Sequence, residues 1–155
     1  MADTSRIGAA QDNFKTLIAA RQVSGNPIEG VPLDVGFPDG GPQAEHIWVS
    51  GRVDDWDQEW ETTGPATGPD AASRQETFTL TVVCVVSAAT VSWTEARDRV
   101  LAIAAEVARA ALGDDTLAGA VFQSLVSGGK VSEGILPEAR QAVAEIKLSC
   151  TAYLK

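Results

Sequence analysis

The clearest alternation of apolar and polar positions runs from Glu76 to Ser87. Phe78, Leu80, Val82, Cys84 and Val86 alternate first with Thr77, Thr79 and Thr81, then with Val83 and Val85. β-Branched residues on a two-residue period predict a half-buried strand, because successive side chains of a pleated chain point to opposite faces. The change from threonine to valine on the second face predicts that the strand's far end is covered on both sides. The period then switches. Ser92-Trp93-Thr94-Glu95 has the spacing of a capping box, in which a hydroxyl and a carboxylate satisfy backbone amides at a helix start. Ala96, Val100, Ile103, Ala104, Val107 and Ala111 follow as one apolar stripe, leaving Arg97, Asp98, Glu106 and Arg109 for the wet faces. Gly113 stands where a left-handed C-terminal cap would go. Residues Arg74 to Leu112 thus predict a strand that delivers a helix back onto its own sheet.

Weaker patterns flank this unit. Ile7, Ala10, Phe14, Leu17, Ile18 and Arg21 fall at helical spacing between Ser5 and Val23, and Ser24-Gly25-Asn26-Pro27 ends the helix. Val31 to Gly40 holds too much Pro and Gly for a central strand but suits a short edge strand or an ordered loop. Glu45 to Val53 predicts a strand with Ile47 and Val49 on one face and Trp48 and Arg52 on the other. Asp54 to Glu61 then interleaves five acidic residues with two tryptophans, and Gly64 to Asp70 is a Gly/Pro loop. The expectation is a long hairpin in which the acidic segment continues the Glu45 strand and the chain returns along Arg74 to Ser87.

Asp114 to Val121 reads as a turn, Val121 to Gly134 as a strand bulged or kinked near Gly129, and Leu136 to Ala139 as another turn. Gln141 to Leu154 closes the chain with the cleanest half-buried pattern, Ala142, Ala144, Ile146, Leu148, Cys150, Ala152 and Leu154 facing one way. The order predicts one α+β domain over residues 1–155: a mostly antiparallel sheet, two helices packed on one face, and a protruding β-hairpin spanning residues 54–75.

Composition narrows the function classes. A length of 155 residues supports one real core. A net charge of −9 without clustered Lys and Arg argues against nucleic acid as a direct ligand. No apolar run approaches the roughly 20 residues of a membrane span, and the first residues lack a basic-then-apolar export signal, so neither membrane nor export is expected. Cys84 and Cys150 lie on the apolar phase of predicted strands and read as small core residues. A disulfide between them would need a register that the alternation does not fix. Two cysteines and one histidine without CxxC spacing make a metal site improbable. That histidine, His46, has only Glu45 nearby in sequence, at a poor angle for fixing its tautomer, and reads as a surface residue.

Gly40-Gly41 and Gly128-Gly129 are turn signals without a phosphate-loop continuation, Asp114-Asp115 reads as turn residues, and the Asp54–Glu61 acids lack the spacing of a calcium loop. No catalytic residue, metal or cofactor is therefore expected. What remains is the tryptophan-rich acidic segment. Trp48, Trp56 and Trp60 share strand parity, and two uses suit them: stapling the hairpin to its sheet, or forming an oligomer contact, since tryptophan is enriched at interface cores. The candidate subunit-interface residues are Trp48, Asp54, Asp55, Trp56, Asp57, Glu59, Trp60 and Glu61.

A string of segments carries a family resemblance: HIWVSG at 46–51, WETTG at 60–64, RQETFTLTVVCVVS at 74–87, WTEARDRVLAIAAEVARAAL at 93–112, DDTLAGAVFQSLVSG at 114–128 and AVAEIKLSCTAYL at 142–154. Together they resemble the tail terminator proteins of long, non-contractile-tailed (siphovirus-type) phages of actinobacteria. The likeness covers His46 to Leu154, and the N-terminal helix matches in position alone. The resemblance implies an α+β fold and a homo-oligomeric ring, typically of six subunits, at the head-proximal end of the tail. Such a ring stops polymerisation of the major tail tube protein and joins the tube to head-completion (neck) proteins. It further implies a structural virion protein without enzymatic activity, assembled in the host cytoplasm, with DNA passing through the ring lumen. An acidic chain suits such a channel, because like charges repel the DNA. Two other readings compete: a head-completion or neck adaptor, and a small cytoplasmic α+β ligand-binding domain or enzyme whose tryptophan and acid arm lines a pocket.

Overall fold

The computed structural model describes residues 5–49, 60–63, 75–88, 91–136 and 139–153. In chain order they form helix α1 (Ile7–Ala19), strands β1 (Leu33–Val35), β2 (Glu45–Val49), β3 (Trp60–Thr63) and β4 (Gln75–Ala88), helix α2 (Trp93–Gly113), and strands β5 (Gln123–Leu136) and β6 (Ala139–Tyr153). One six-stranded sheet runs in the order β1-β2-β4-β6-β5, with β3 also paired to β4. Every pairing is antiparallel except β1 with β2. The class is α+β, as the alternation predicted. The short edge strand allowed for between Val31 and Gly40 is β1, and its parallel run beside β2 is a feature no local pattern announced.

Both helices cover one face. Phe14 and Ile18 of α1, with Val100, Ile103 and Val107 of α2, meet Ile47, Leu80, Val82, Cys84, Ala144 and Leu148 of the sheet in a single buried cluster. All six residues of the predicted α2 stripe are buried. The capping box also forms: Glu95 donates its backbone N–H to Ser92 Oγ at 3.2 Å, and Glu95 Oε2 accepts from the Ser92 backbone N–H at 2.9 Å. The C-terminal end differs from expectation. Gly113 is the last helical residue and the cap is Asp114 in an extended conformation. Asp114 accepts from the backbone N–H of Thr116 and Ala118, each at 3.0 Å, and from Thr116 Oγ1 at 2.7 Å. Those bonds hold its carboxyl below the usual carboxylate range. The left-handed residues come later, at Leu117, Ala118 and Gly119.

The second face carries a smaller cluster. Trp48, Val83 and Val85 are buried there with Phe37 and Val143 packed against them, and Phe37 meets Trp48 edge-on at 5.5 Å. The valine end of β4 is thus covered on both sides, while Thr77 and Thr79 are only half-buried.

Two buried acids tie the layers together. Glu76, from the sheet, accepts from Ser5 Oγ at 2.6 Å and from the Arg6 backbone N–H at 2.8 Å, placing a carboxylate at the N-terminus of α1, where the helix dipole favours it. Glu106, read from the sequence as a wet-face residue, is 3 % exposed. It accepts from Arg21 Nε at 2.8 Å and Nη2 at 2.6 Å, from Asn26 Nδ2 at 3.1 Å, and from Arg109 Nη1. α1 and the turn after it are thereby pinned to α2. The hydrogen bond from Asn26, followed by those from the two arginines, holds the Glu106 carboxyl low against the opposing effect of burial.

Cys84 and Cys150 are free and buried. Cys150 is paired with Phe78, six residues along β4 from Cys84, which separates the two by roughly 20 Å at the strand rise and excludes a disulfide. Desolvation pushes both thiols up to about 12. Neither should react with a thiol reagent at pH 8 in the folded protein, and both should react once it is denatured; rapid native labelling of either would contradict this packing. Because the Glu106 carboxyl is lowered on folding, its contribution to stability is full above the unfolded carboxylate value, near pH 4.5, and is lost as pH falls through the folded value. Glu106→Gln should cost about 1–3 kcal/mol at pH 7 and flatten the acid limb of a urea-midpoint-against-pH profile.

Candidate functional site

Catalysis would need a nucleophile with a base, or a polar group held unpaired in a pocket. His46 is the first residue to examine. It is buried, which corrects the surface reading, and its Nε2 lies 2.7 Å from Asp34 Oδ2. Its Nδ1 accepts the Gln43 backbone N–H at 3.1 Å, which assigns the ring proton to Nε2 and makes Asp34 its acceptor. Both nitrogens are occupied within the fold, so neither is left to take a proton from a substrate. The partner comes from β1, brought alongside by the parallel pairing of Leu33–Val35 with Ile47–Val49. Glu45, the neighbour weighed from sequence, instead receives Arg99 of α2 through two bonds at 2.9 and 2.7 Å. Among the described residues no three His, Cys, Asp or Glu side chains converge as metal ligands, and no helix is long and apolar enough to cross a membrane.

The expected interface residues fall in three places. Trp48 is 1 % exposed in the second-face cluster, with the His46 ring 6.1 Å from its own. Trp60 and Glu61 belong to β3, paired with Phe78 and Thr77. Asp54, Asp55, Trp56, Asp57 and Glu59 lie outside the described residues, as does the Gly/Pro loop. Trp48 is paired with Val83, whereas Trp60 is paired with Phe78. From Val49 to Trp60 the chain advances eleven positions, but its partners on β4 advance only four, from Val82 to Phe78. β2 and β3 are therefore separate strands that share one edge of β4.

Among the described residues the opposite flank ends in β5, 14 residues long and paired with β6 alone. Such an edge presents backbone N–H and C=O groups that can bind another chain. Near its start Ser124 donates its backbone N–H to the Asp115 carbonyl at 2.6 Å. Beyond that, Leu125, Val126 and Val131 are exposed, Leu125 at 56 %. Phe122 and Tyr153 stand exposed at one end as an edge-on pair, with centroids 5.2 Å apart.

Beside this edge, on the helix side, lies an apolar groove of about 360 Å³. Leu101, Ala105 and Ala108 of α2 form one wall, Val126 and Val131 of β5 the other, and Gly129 and Ala144 lie between them. The groove exists because these residues are small where α2 overhangs β6 and β5. The register of β5 against β6 shifts between Val126 and Gly128, so the bulge expected near Gly129 is present, and the glycine pair lies within a strand instead of a turn. A Cβ on Gly129 would come 3.2 Å from the Glu145 carbonyl, which explains the absence of a side chain there. Sequence reasoning found the glycine break but had no signal that this strand is an edge.

No protein-family model matches the chain, and no curated protein matches it. The pairing of buried His46 with half-exposed Asp34 yields a direct test. Asp34→Ala would leave the Nε2 proton without its acceptor and should lower unfolding stability by about 1–3 kcal/mol in a urea titration. A neutral effect would show that the pair carries no stability.

Proposed function

We propose that this chain is a structural, ring-forming protein that caps the head-proximal end of a phage tail tube, stops its polymerisation and offers a surface to head-completion proteins. The resemblance of residues 46–154 to tail terminator proteins supports the reading. The observation that carries it is the long β5 edge, with Val126 and Val131 exposed along the apolar groove and Leu125 and the Phe122–Tyr153 pair exposed away from it. Such an edge invites association with another chain. The sheet's other flank is built differently, from the three-residue β1 and the four-residue β3. Contact between two unlike flanks is head-to-tail, and head-to-tail contacts close into rings when the rotation per subunit allows it. A net charge of −9 suits a ring through which DNA slides without sticking.

Negative-stain imaging of the purified protein, alone and mixed with tail tubes, tests this. Rings, or tubes capped at one end and arrested in growth, are expected. A protein that stays monomeric and never caps a tube would sink the proposal, and binding to portal-proximal proteins without binding to tubes would reassign it to the neck.

A further inference from the structure

We propose that His46 is a proton-operated latch on the connection between β1 and β2. Protonation of its ring releases that connection at Gln43 and frees the segment that brings Phe37 against Trp48. The inference is independent of the tail role, because it rests on contacts within one chain.

Residues 36–44 join the two strands. Backbone bonds that carry no titrating group fix both ends. Gly36 donates its N–H to the Val49 carbonyl at 2.8 Å, and the Ala44 carbonyl accepts from Ser87 at 2.6 Å. Between them the Gln43 N–H is given to His46 Nδ1 at 3.1 Å. A ring nitrogen that accepts a hydrogen bond cannot also carry a proton, and in the imidazolium both nitrogens are donors. Protonation therefore removes the Gln43 bond. At the other nitrogen the Nε2–H remains, 2.7 Å from Asp34 Oδ2, so the ring gains an ion pair as it loses a donor. The neutral ring holds Gln43 and Asp34 together; the charged ring holds Asp34 alone.

The surroundings allow this exchange. The ring is buried, but Asp34 is half-exposed and Gln43 is exposed, so the freed N–H can turn to water and is not left buried without a partner. Among the described residues, the charged groups around the ring are few. β1 contributes Asp34, and residues 36–44 add the exposed Asp39. β4 sets Val85 opposite His46, between Val83 and Ser87, and β6 sets Val143 beyond Val85, with Glu145 two positions along. Glu45 of β2 is taken by Arg99 of α2. Phe37 lies on the same connection, edge-on to Trp48 at 5.5 Å, and the His46 ring is 6.1 Å from that indole.

Nuclear magnetic resonance of the full chain tests the latch between about pH 8 and pH 5, where histidine is the side chain that ordinarily changes charge. As the His46 ring titrates, protection of the Gln43 amide should fall by about tenfold, the scale of one hydrogen bond. The ring-to-ring contact of Phe37 with Trp48 should weaken in step, while amides of α2 and β6 keep their positions. In His46→Gln the side-chain carbonyl can still accept but does not titrate, so its Gln43 amide should stay flat across the range. A ring that stays neutral to pH 5 would overturn the proposal. So would an undisturbed Gln43 amide or Phe37–Trp48 contact beside a titrating ring, or a wild-type response in His46→Gln. Loss of the α2 and β6 signals together with the Gln43 change would replace the latch with global unfolding.

Discussion

The pairing of β4 with β6 is the constraint on which the rest of the molecule depends. It runs without interruption from Gln75↔Tyr153 to Ala88↔Arg140. Side chains alternate faces along each strand, so a one-residue slip would carry Leu80, Val82, Cys84, Leu148 and Cys150 out of the helix-side core together. Each of these buries apolar area worth about 1.5–3 kcal/mol for the larger side chains, so a slipped register is strongly disfavoured. Once the ladder is fixed, the rest follows. The capping box at Ser92 starts α2 four residues after β4 ends, which lays its alanine-rich stripe across the two central strands. β2 and β3 then divide the free edge of β4 between them.

Acidic residues join these layers, a use that net charge alone conceals. Glu76 receives the start of α1, Glu106 clasps Arg21 and Asn26, Asp114 caps the end of α2, and Glu45 takes Arg99. Glu76 and Glu106 are buried, which is tolerable only because donors replace their water, and those from Arg6, Arg21 and Asn26 come from other elements, so each bond also fixes a relative position. Glu106 shows why a helical wheel misplaced it. The wheel records which side of α2 faces the sheet, but the turn after α1 covers a flank that the wheel assigns to water, and Arg21 and Asn26 make that flank polar and dry.

What was legible in the sequence was whatever depends on local periodicity. The two faces of β4, the stripe and cap of α2, the alternation of β6 and the bulge near Gly129 all follow from residues close in the chain. Features set by distant pairing were not legible. His46 looked exposed because its partner, Asp34, reaches it through a parallel strand pair that leaves no local signature. The expectation of one continuous strand from Glu45 into the acidic segment met a related limit: the register shows two separate strands, β2 and β3, on the same edge of β4. The β5 edge and its groove were hidden too, since a strand's place in the sheet order is a property of the whole fold.

The two flanks of the sheet handle the hazard of an open edge in opposite ways. On one side β1 is three residues long, preceded by Pro32 and followed by Gly36 at positive φ, which leaves little backbone for another chain to pair with. On the other, β5 is 14 residues long and carries only Lys130 and Glu133 as charged side chains, with no proline within it. Charges, bulges, prolines and short length are how monomeric sheets protect an edge; β5 has Lys130, Glu133 and the bulge between Val126 and Gly128 but is long and free of proline. Alanines along α2 and glycine at 128 keep the neighbouring groove open, while glycine at 129 is set by the close approach of the Glu145 carbonyl. Among the described residues, then, one flank ends in short strands and the other in a long strand beside a groove lined by small residues, a difference that follows from strand order and not from composition.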